Sequence, residues 1–144
     1  MYIQITPTGV LKIDIKIKIM YNKVLYIMKS VFIFIPAVNK EIQFIIWNNA
    51  KENFDIIDNA KENDIWFHIN NEPSCHVIAI IPINEKLSKK QLSKIVVQGA
   101  CICKNNSKFK SCKNVEIIHS NILNVAKTQI LGKVNVTNGK HIVI

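Results

Sequence analysis

His68 and His76 flank the seven residues INNEPSC, and paired imidazoles at this spacing are the first place to look for chemistry. If the flanks form antiparallel strands, the two rings stand side by side at one end of a sheet, facing the same way. Such a pair has three uses: proton transfer, metal ligation, or a phosphate contact in which a neutral imidazole gains charge. Hydrolysis also needs a nucleophile and an orienting acid. Ser74 and Cys75 lie within the turn, and Asp64 and Glu72 are the neighbouring acids, but no nucleophile-elbow or similar motif places any of them. A small hydrolase built on Cys75 and His76 is a rival reading, and no catalytic residue is assigned. Zinc would want ligand pairs at spacings such as C-x2-C. Cys101 and Cys103 are two apart on a predicted helix and point to different sides, and Cys75 and Cys112 form no such pair with either. The expectation is no metal, no cofactor and no small-molecule substrate.

Trp66 and Phe67 precede the first histidine. Neighbours on a strand face opposite ways, so at most one of the two faces outward. Core packing is the plain reading for both. An outward aromatic beside two imidazoles would instead be a stacking platform for an unpaired base, worth about 1–3 kcal/mol per base. For His68 and His76, a hydrogen-bonded brace of the turn stands beside the phosphate contact.

Charge supplies the second candidate surface. The 144 residues carry 19 basic side chains, all lysine, against 10 acidic ones, for a net charge of +9. A polyanion is attracted to such a chain, either nucleic acid or an anionic membrane surface. Without arginine there is no planar fork to read a guanine edge, so lysine contacts supply affinity more than sequence choice. Lys86, Lys90 and Lys94 recur at i, i+4 and i+8 with Lys89 beside them, and Lys104, Lys108, Lys110 and Lys113 crowd the stretch that follows. No acid lies between Lys86 and Val115. A solvated face explains part of such a run, but like charges at this density destabilise the fold unless a polyanion relieves them.

The elements that must position these residues are strand-rich. Length suits one domain, and 49% hydrophobic content is enough for a core. Lys12, Lys16 and Lys18 alternate with Ile13, Ile15, Ile17 and Ile19, a strand pattern with one wet face. The continuation VLYIMKSVFIFIPAV, residues 24–38, is apolar, but Lys29 interrupts it and Pro36 closes it short of a membrane-spanning helix. VFIFI and EIQFIIW predict a hairpin through PAVNK, and IWFHI and HVIAII a second one through NNEPSC. Helices are predicted over 49–60 and over 87–106, the latter opened by a Ser88-x-x-Gln91 capping box and carrying an apolar stripe at Leu92, Ile95, Val96, Gly99 and Cys103. Strands follow at 115–119, 131–136 and 141–144 around Gly132 and the Asn138-Gly139 turn. The predicted class is α+β: a mixed or antiparallel sheet with two main helices packed on it, in a single domain over 31–144 after an N-terminal extension over 1–30.

DIWFHINNEPSCHVIA, residues 64–79, resembles the signature of the NFACT-R family, the RNA-binding domain of the NFACT proteins. Asp64, Trp66, Phe67, His68, Pro73, Ser74 and His76 stand at the signature positions. Asn49, Ala50 and Asn53 look like the family's helix start, and Gly132 with Val134 looks like its Gly-x-Val turn. The likeness runs in order over 31–144 and is nearest to the stand-alone members of the family. It implies a non-enzymatic module that binds transfer or ribosomal RNA in ribosome quality control on the large subunit, in the cytoplasm or nucleus. Trp66, His68, His76, Lys86, Lys89, Lys90, Lys94, Lys104, Lys108 and Lys110 would form its contact surface. Because lysines do not read the 2′-hydroxyl, DNA is an alternative partner. A membrane-associated basic scaffold anchored through residues 24–38 is the remaining alternative, although membrane is not the expected partner.

Overall fold

The computed structural model describes residues 2–5, 11–21, 24–48 and 57–144, with side chains from Lys29 onward. In chain order the elements are β1 (Tyr2–Ile5), β2 (Leu11–Tyr21), β3 (Val24–Ile35), β4 (Lys40–Trp47), β5 (Ile65–Ile69) and β6 (His76–Ile80). Helix α1 (Lys89–Asn105) follows, then β7 (Glu116–Asn121), a 3-10 turn (Ile122–Asn124), β8 (Val125–Lys127), β9 (Val134–Val136) and β10 (Lys140–Val143). Eight strands form one sheet in the order β1-β2-β3-β4-β6-β5-β7-β10, and β8 and β9 form a separate ribbon. Every strand pairing is antiparallel.

Alternation along the strands divides the sheet into two faces, and β5 shows the division most plainly. Phe67 joins Phe44, Val77 and Ile117 in the main core beneath α1. Trp66 points the other way, into a second cluster with Ile78, Ile122 and Val125, covered by Val134 and Val136 of the ribbon. The β5–β6 hairpin is therefore buried on both sides, which explains why IWFHI and HVIAI read as nearly continuous apolar runs.

Local chemistry starts α1 where the sequence says it should. Ser88 Oγ accepts from Gln91 N at 3.2 Å, and Gln91 Oε1 accepts from Ser88 N at 2.8 Å, completing the capping box. Asn106 closes the other end by donating to Ile102 O at 2.8 Å. Between them Gly99 lets the helix approach the sheet: a Cβ added there would lie 2.3 Å from Phe67 Cζ.

One expectation about the fold needs correction. Every described strand pairing is antiparallel, but among the described residues only α1 is a helix of more than one turn, not two main helices packed on the sheet. On the second face the β8–β9 ribbon packs Val134 and Val136 against the Trp66 cluster. Of the helix expected over 49–60, residues 49–56 lie outside the described residues, and so do Asn49, Ala50 and Asn53. Ile57–Asn59 are helical, and Ile57 and Ala60 pack against the Trp66 cluster. Residues 24–35 are not a membrane helix but strand β3, hydrogen-bonded to β2 on one side and β4 on the other. No helix among the described residues is long and apolar enough to cross a membrane. Strand β2 pairs with β3 from Lys12↔Ile33 to Tyr21↔Val24, so a boundary at residue 31 falls inside β3.

The Gly99–Phe67 contact generates a stability test. Gly99→Ala should lower the urea midpoint by the equivalent of roughly 2 kcal/mol, because an overpacked methyl against a fixed ring outweighs the better helix propensity. In a Phe67→Leu background the same substitution should cost little. A Gly99→Ala chain as stable as the parent would show that the helix does not bear on Phe67.

Candidate nucleic-acid interface

Asp64 sets the entry to β5. It is buried, at 1% exposure, and both carboxylate oxygens are used: Oδ1 accepts from Ile81 N at 3.0 Å and Oδ2 from Lys61 N at 2.9 Å. Its backbone carbonyl accepts from Ile122 N at 3.0 Å. One residue thus ties the loop before β5, the end of β6 and the 3-10 turn. Of the two acids that neighbour the histidines in sequence, Asp64 is thus committed to structure.

Trp66 and His76 are adjacent across the hairpin. Trp66 Nε1–H donates to His76 Nδ1 at 3.0 Å, so His76 carries its proton on Nε2 when neutral. His68 stacks on Trp66 with ring centroids 5.7 Å apart and meets His76 edge-on at 4.7 Å. His68 Nδ1 donates to Ile69 O at 2.7 Å. Ser74 pins the turn by accepting from Ile69 N at 3.1 Å and donating to Cys75 O at 3.0 Å, and Asn71 absorbs the bend at φ 56°. Beyond the rings opens a cavity of about 740 Å³, walled by the turn and by Leu131–Val136, where Gly132 takes φ 81°.

The two histidines do face the same way, but neither is a ready cation. Burial, and then the charge of His68, hold His76 down at about 3. His68 is also shifted down by burial, with the Ile69 and Ser74 backbone opposing. Trp66 and His76 are each only 2% exposed and Phe67 is fully buried, so the outward stacking platform expected of Trp66 or Phe67 does not form. His68, half-buried, is the ring nearest solvent.

The lysines stand elsewhere. Lys86, Lys89, Lys90 and Lys94 are exposed along α1 and its approach, on the Phe67 side of the sheet, whereas Trp66, His68 and His76 lie on the opposite face. Lys108 and Lys110 are exposed after the helix, with the Lys108 ammonium 5.1 Å from the Phe109 ring centroid, and Lys104 donates to Ile144 O at 3.2 Å. The structure therefore does not join signature and lysines into one contact surface. Sequence reasoning also missed a cleft of about 770 Å³ between α1 and β7–β10, rimmed by asparagines and His119. Its only trace in the sequence is asparagine at successive turns, which reads as ordinary turn chemistry.

The depressed His76 makes stability depend on acid. The unfolded histidine takes a proton near pH 6.5 and the folded one only near 3, so the unfolded state binds more protons in that window and stability falls as pH drops through it. The expected slope is about 1.4 kcal/mol per pH unit from His76, read from urea midpoints. His76→Gln should lower stability at pH 7 yet flatten the decline between pH 6 and 4. An unchanged decline would place the acid sensitivity in other groups.

Comparison with known proteins agrees with the signature. The family model for the NFACT protein RNA binding domain matches residues 30–141. Among solved structures, the chain is similar to the C-terminal part of the fibronectin/fibrinogen-binding protein from Streptococcus suis, with a TM-score of 0.60 and 19% identity. The likeness covers 72% of this chain and 40% of that one, and it speaks for the fold alone. No curated protein matches. A family match over most of the chain, on a fold in which Asp64, Trp66, His76 and Ser74 hold one hairpin together, leads to one conclusion: the chain belongs to the NFACT protein RNA-binding domain family.

Proposed function

We propose that the chain is a non-enzymatic RNA-binding module that holds transfer or ribosomal RNA on its lysine face, in the cytoplasm and in the setting of large-subunit quality control. The observation that carries this reading is the acid-free lysine run from Lys86 to Val115, exposed on one side of a domain of this family. Lys86, Lys89, Lys90, Lys94, Lys108 and Lys110 meet phosphates as point charges, with Lys104 at the edge of the group. Trp66 and His76 brace the hairpin from inside, and His68 is the signature ring in reach of a ligand. With no arginine fork and no 2′-hydroxyl reader among the lysines, DNA of similar shape competes for the same face.

Replacing Lys90, Lys94 and Lys108 together with Gln should weaken binding to every RNA alike. The slope of log K against log salt should fall by about 0.7 per lost contact on single strands, with preference among RNAs unchanged. A folded His76→Ala chain should bind tRNA with the salt slope of the parent. If the lysine variant binds as tightly as the parent at all salt concentrations, the lysine face is not the interface.

We infer further that residues 31–144 bind without residues 1–27, since the family match begins at residue 30. A chain begun at Met28 should bind tRNA within about twofold of the full chain, a difference well under 1 kcal/mol. Loss of folding in urea titration would instead make the β1–β2 edge part of the minimal unit.

A further inference from the structure

The cleft of about 770 Å³ between α1 and the β7–β10 edge has the features of a binding site that neither the signature nor the lysine run accounts for. Its floor is apolar: Ile65 and Ile81 from the sheet, Leu92 and Val96 from the helix. His119 forms one wall, held against Phe67 with ring centroids 6.0 Å apart and planes 30° apart. Burial, then the nearby Lys140 and His141 charges, push the His119 imidazole down, so the wall is a neutral flat ring at pH 7.

The rim carries amides, hydrogen-bonding groups with both a donor and an acceptor. Asn121 Oδ1 accepts from Leu123 N at 2.9 Å, and its amide hydrogens have no partner among the described residues. Asn124 donates to Ser120 Oγ at 3.2 Å, which leaves its carbonyl oxygen. Asn84 and Asn138 extend the rim, and Lys86 and Lys140 stand on either side, one before α1 and the other on β10. Glu85 is the acid at this cleft, and its carboxylate pairs with Lys40.

We propose that this cleft is a second recognition site, a slot for one unpaired nucleobase of an RNA strand whose phosphates run along the lysines of α1. An apolar floor and a neutral imidazole wall take the flat faces of a base, as in single-strand recognition generally. Asparagine amides match the mixed donor and acceptor edge that bases present. Lys86 and Lys140 meet the phosphates before and after the base. The volume lies within the range that encloses a ligand of nucleotide size. Because Lys86 belongs both to the cleft rim and to the lysine stripe, one strand reaches both. The inference rests on the RNA-binding reading and adds to it where a base leaves the backbone track.

The test is a nuclear magnetic resonance titration of the full chain, nitrogen-15 labelled, with a twelve-nucleotide oligo(A) RNA and, separately, with inorganic polyphosphate. Both should shift backbone amides of Lys89–Lys94. Only the RNA should shift the side-chain amides of Asn84, Asn121 and Asn138. Asn84→Trp, which fills the cleft from an exposed position, should weaken RNA binding about tenfold, the loss of one stacked base, with polyphosphate binding unchanged. His119→Ala should weaken it in the same sense, so the inference does not depend on one variant folding. If RNA moves the Lys89–Lys94 amides but leaves the cleft amides still, the slot is refuted while RNA binding stands. Shifts confined to Asn70, Asn71 and Asn135 would refute it equally, by placing the base in the signature cavity. If RNA moves nothing, both readings fall.

Discussion

Burial of the β5–β6 hairpin on both faces is the constraint from which most of the structure follows. A strand covered on one side can carry polar residues on the other. One covered on both sides must be apolar throughout or pair every polar atom it buries. IWFHI and HVIAI meet that demand in two ways. Aliphatic and aromatic residues fill most positions, and the polar ones are paired, Trp66 with His76 and His68 with the Ile69 carbonyl, while just before β5 Asp64 accepts from two backbone amides. The family signature is thus largely a solution to a packing problem. Its residues are the ones that allow a short hairpin to be the middle layer of the protein.

The same packing decides which of these residues a ligand could reach. Trp66, Phe67 and His76 look like a binding triad in one dimension, because aromatics and imidazoles are the usual partners of nucleotides. In three dimensions they are interior, and His76 stays neutral where a phosphate partner would want charge. The cationic surface lies across the sheet, on the helix that Gly99 brings down onto Phe67. The hairpin and the lysines are coupled only through the thickness of the domain. The tryptophan face holds the shape, and the phenylalanine face meets solvent charge.

What was legible in the sequence was whatever depends on neighbours in the chain. The Ser88–Gln91 capping box, both hairpins and the apolar stripe of α1 follow from spacings of three or four residues and from period-two alternation. Alternation also placed Trp66 and Phe67 on opposite faces. It could not show that the Trp66 face is covered too, because part of the cover is a ribbon some sixty residues later whose strands are three residues long. Short strands of that kind leave almost no periodic signal. Asp64 was recognised as a letter of the signature, but its role as a double acceptor depends on where Ile81 and Lys61 come to rest. The asparagine-rimmed cleft was invisible for the same reason: its residues come from five separate segments.

Strand order carries a consequence for how the chain is made. Strand β5 sits between β6 and β7, and β7 begins nearly fifty residues after β5 ends. As the polypeptide emerges during synthesis, β5 and β6 can pair early, yet the outer edge of β5 has no strand beside it until residues 116–121 are out. Helix and ribbon arrive later than the hairpin they cover. For that interval a short, apolar edge with both faces bare is open to pairing with a neighbouring nascent chain. Joining β7 to β5 closes a far longer loop than any hairpin of the sheet, so this pairing is expected after the hairpins have formed.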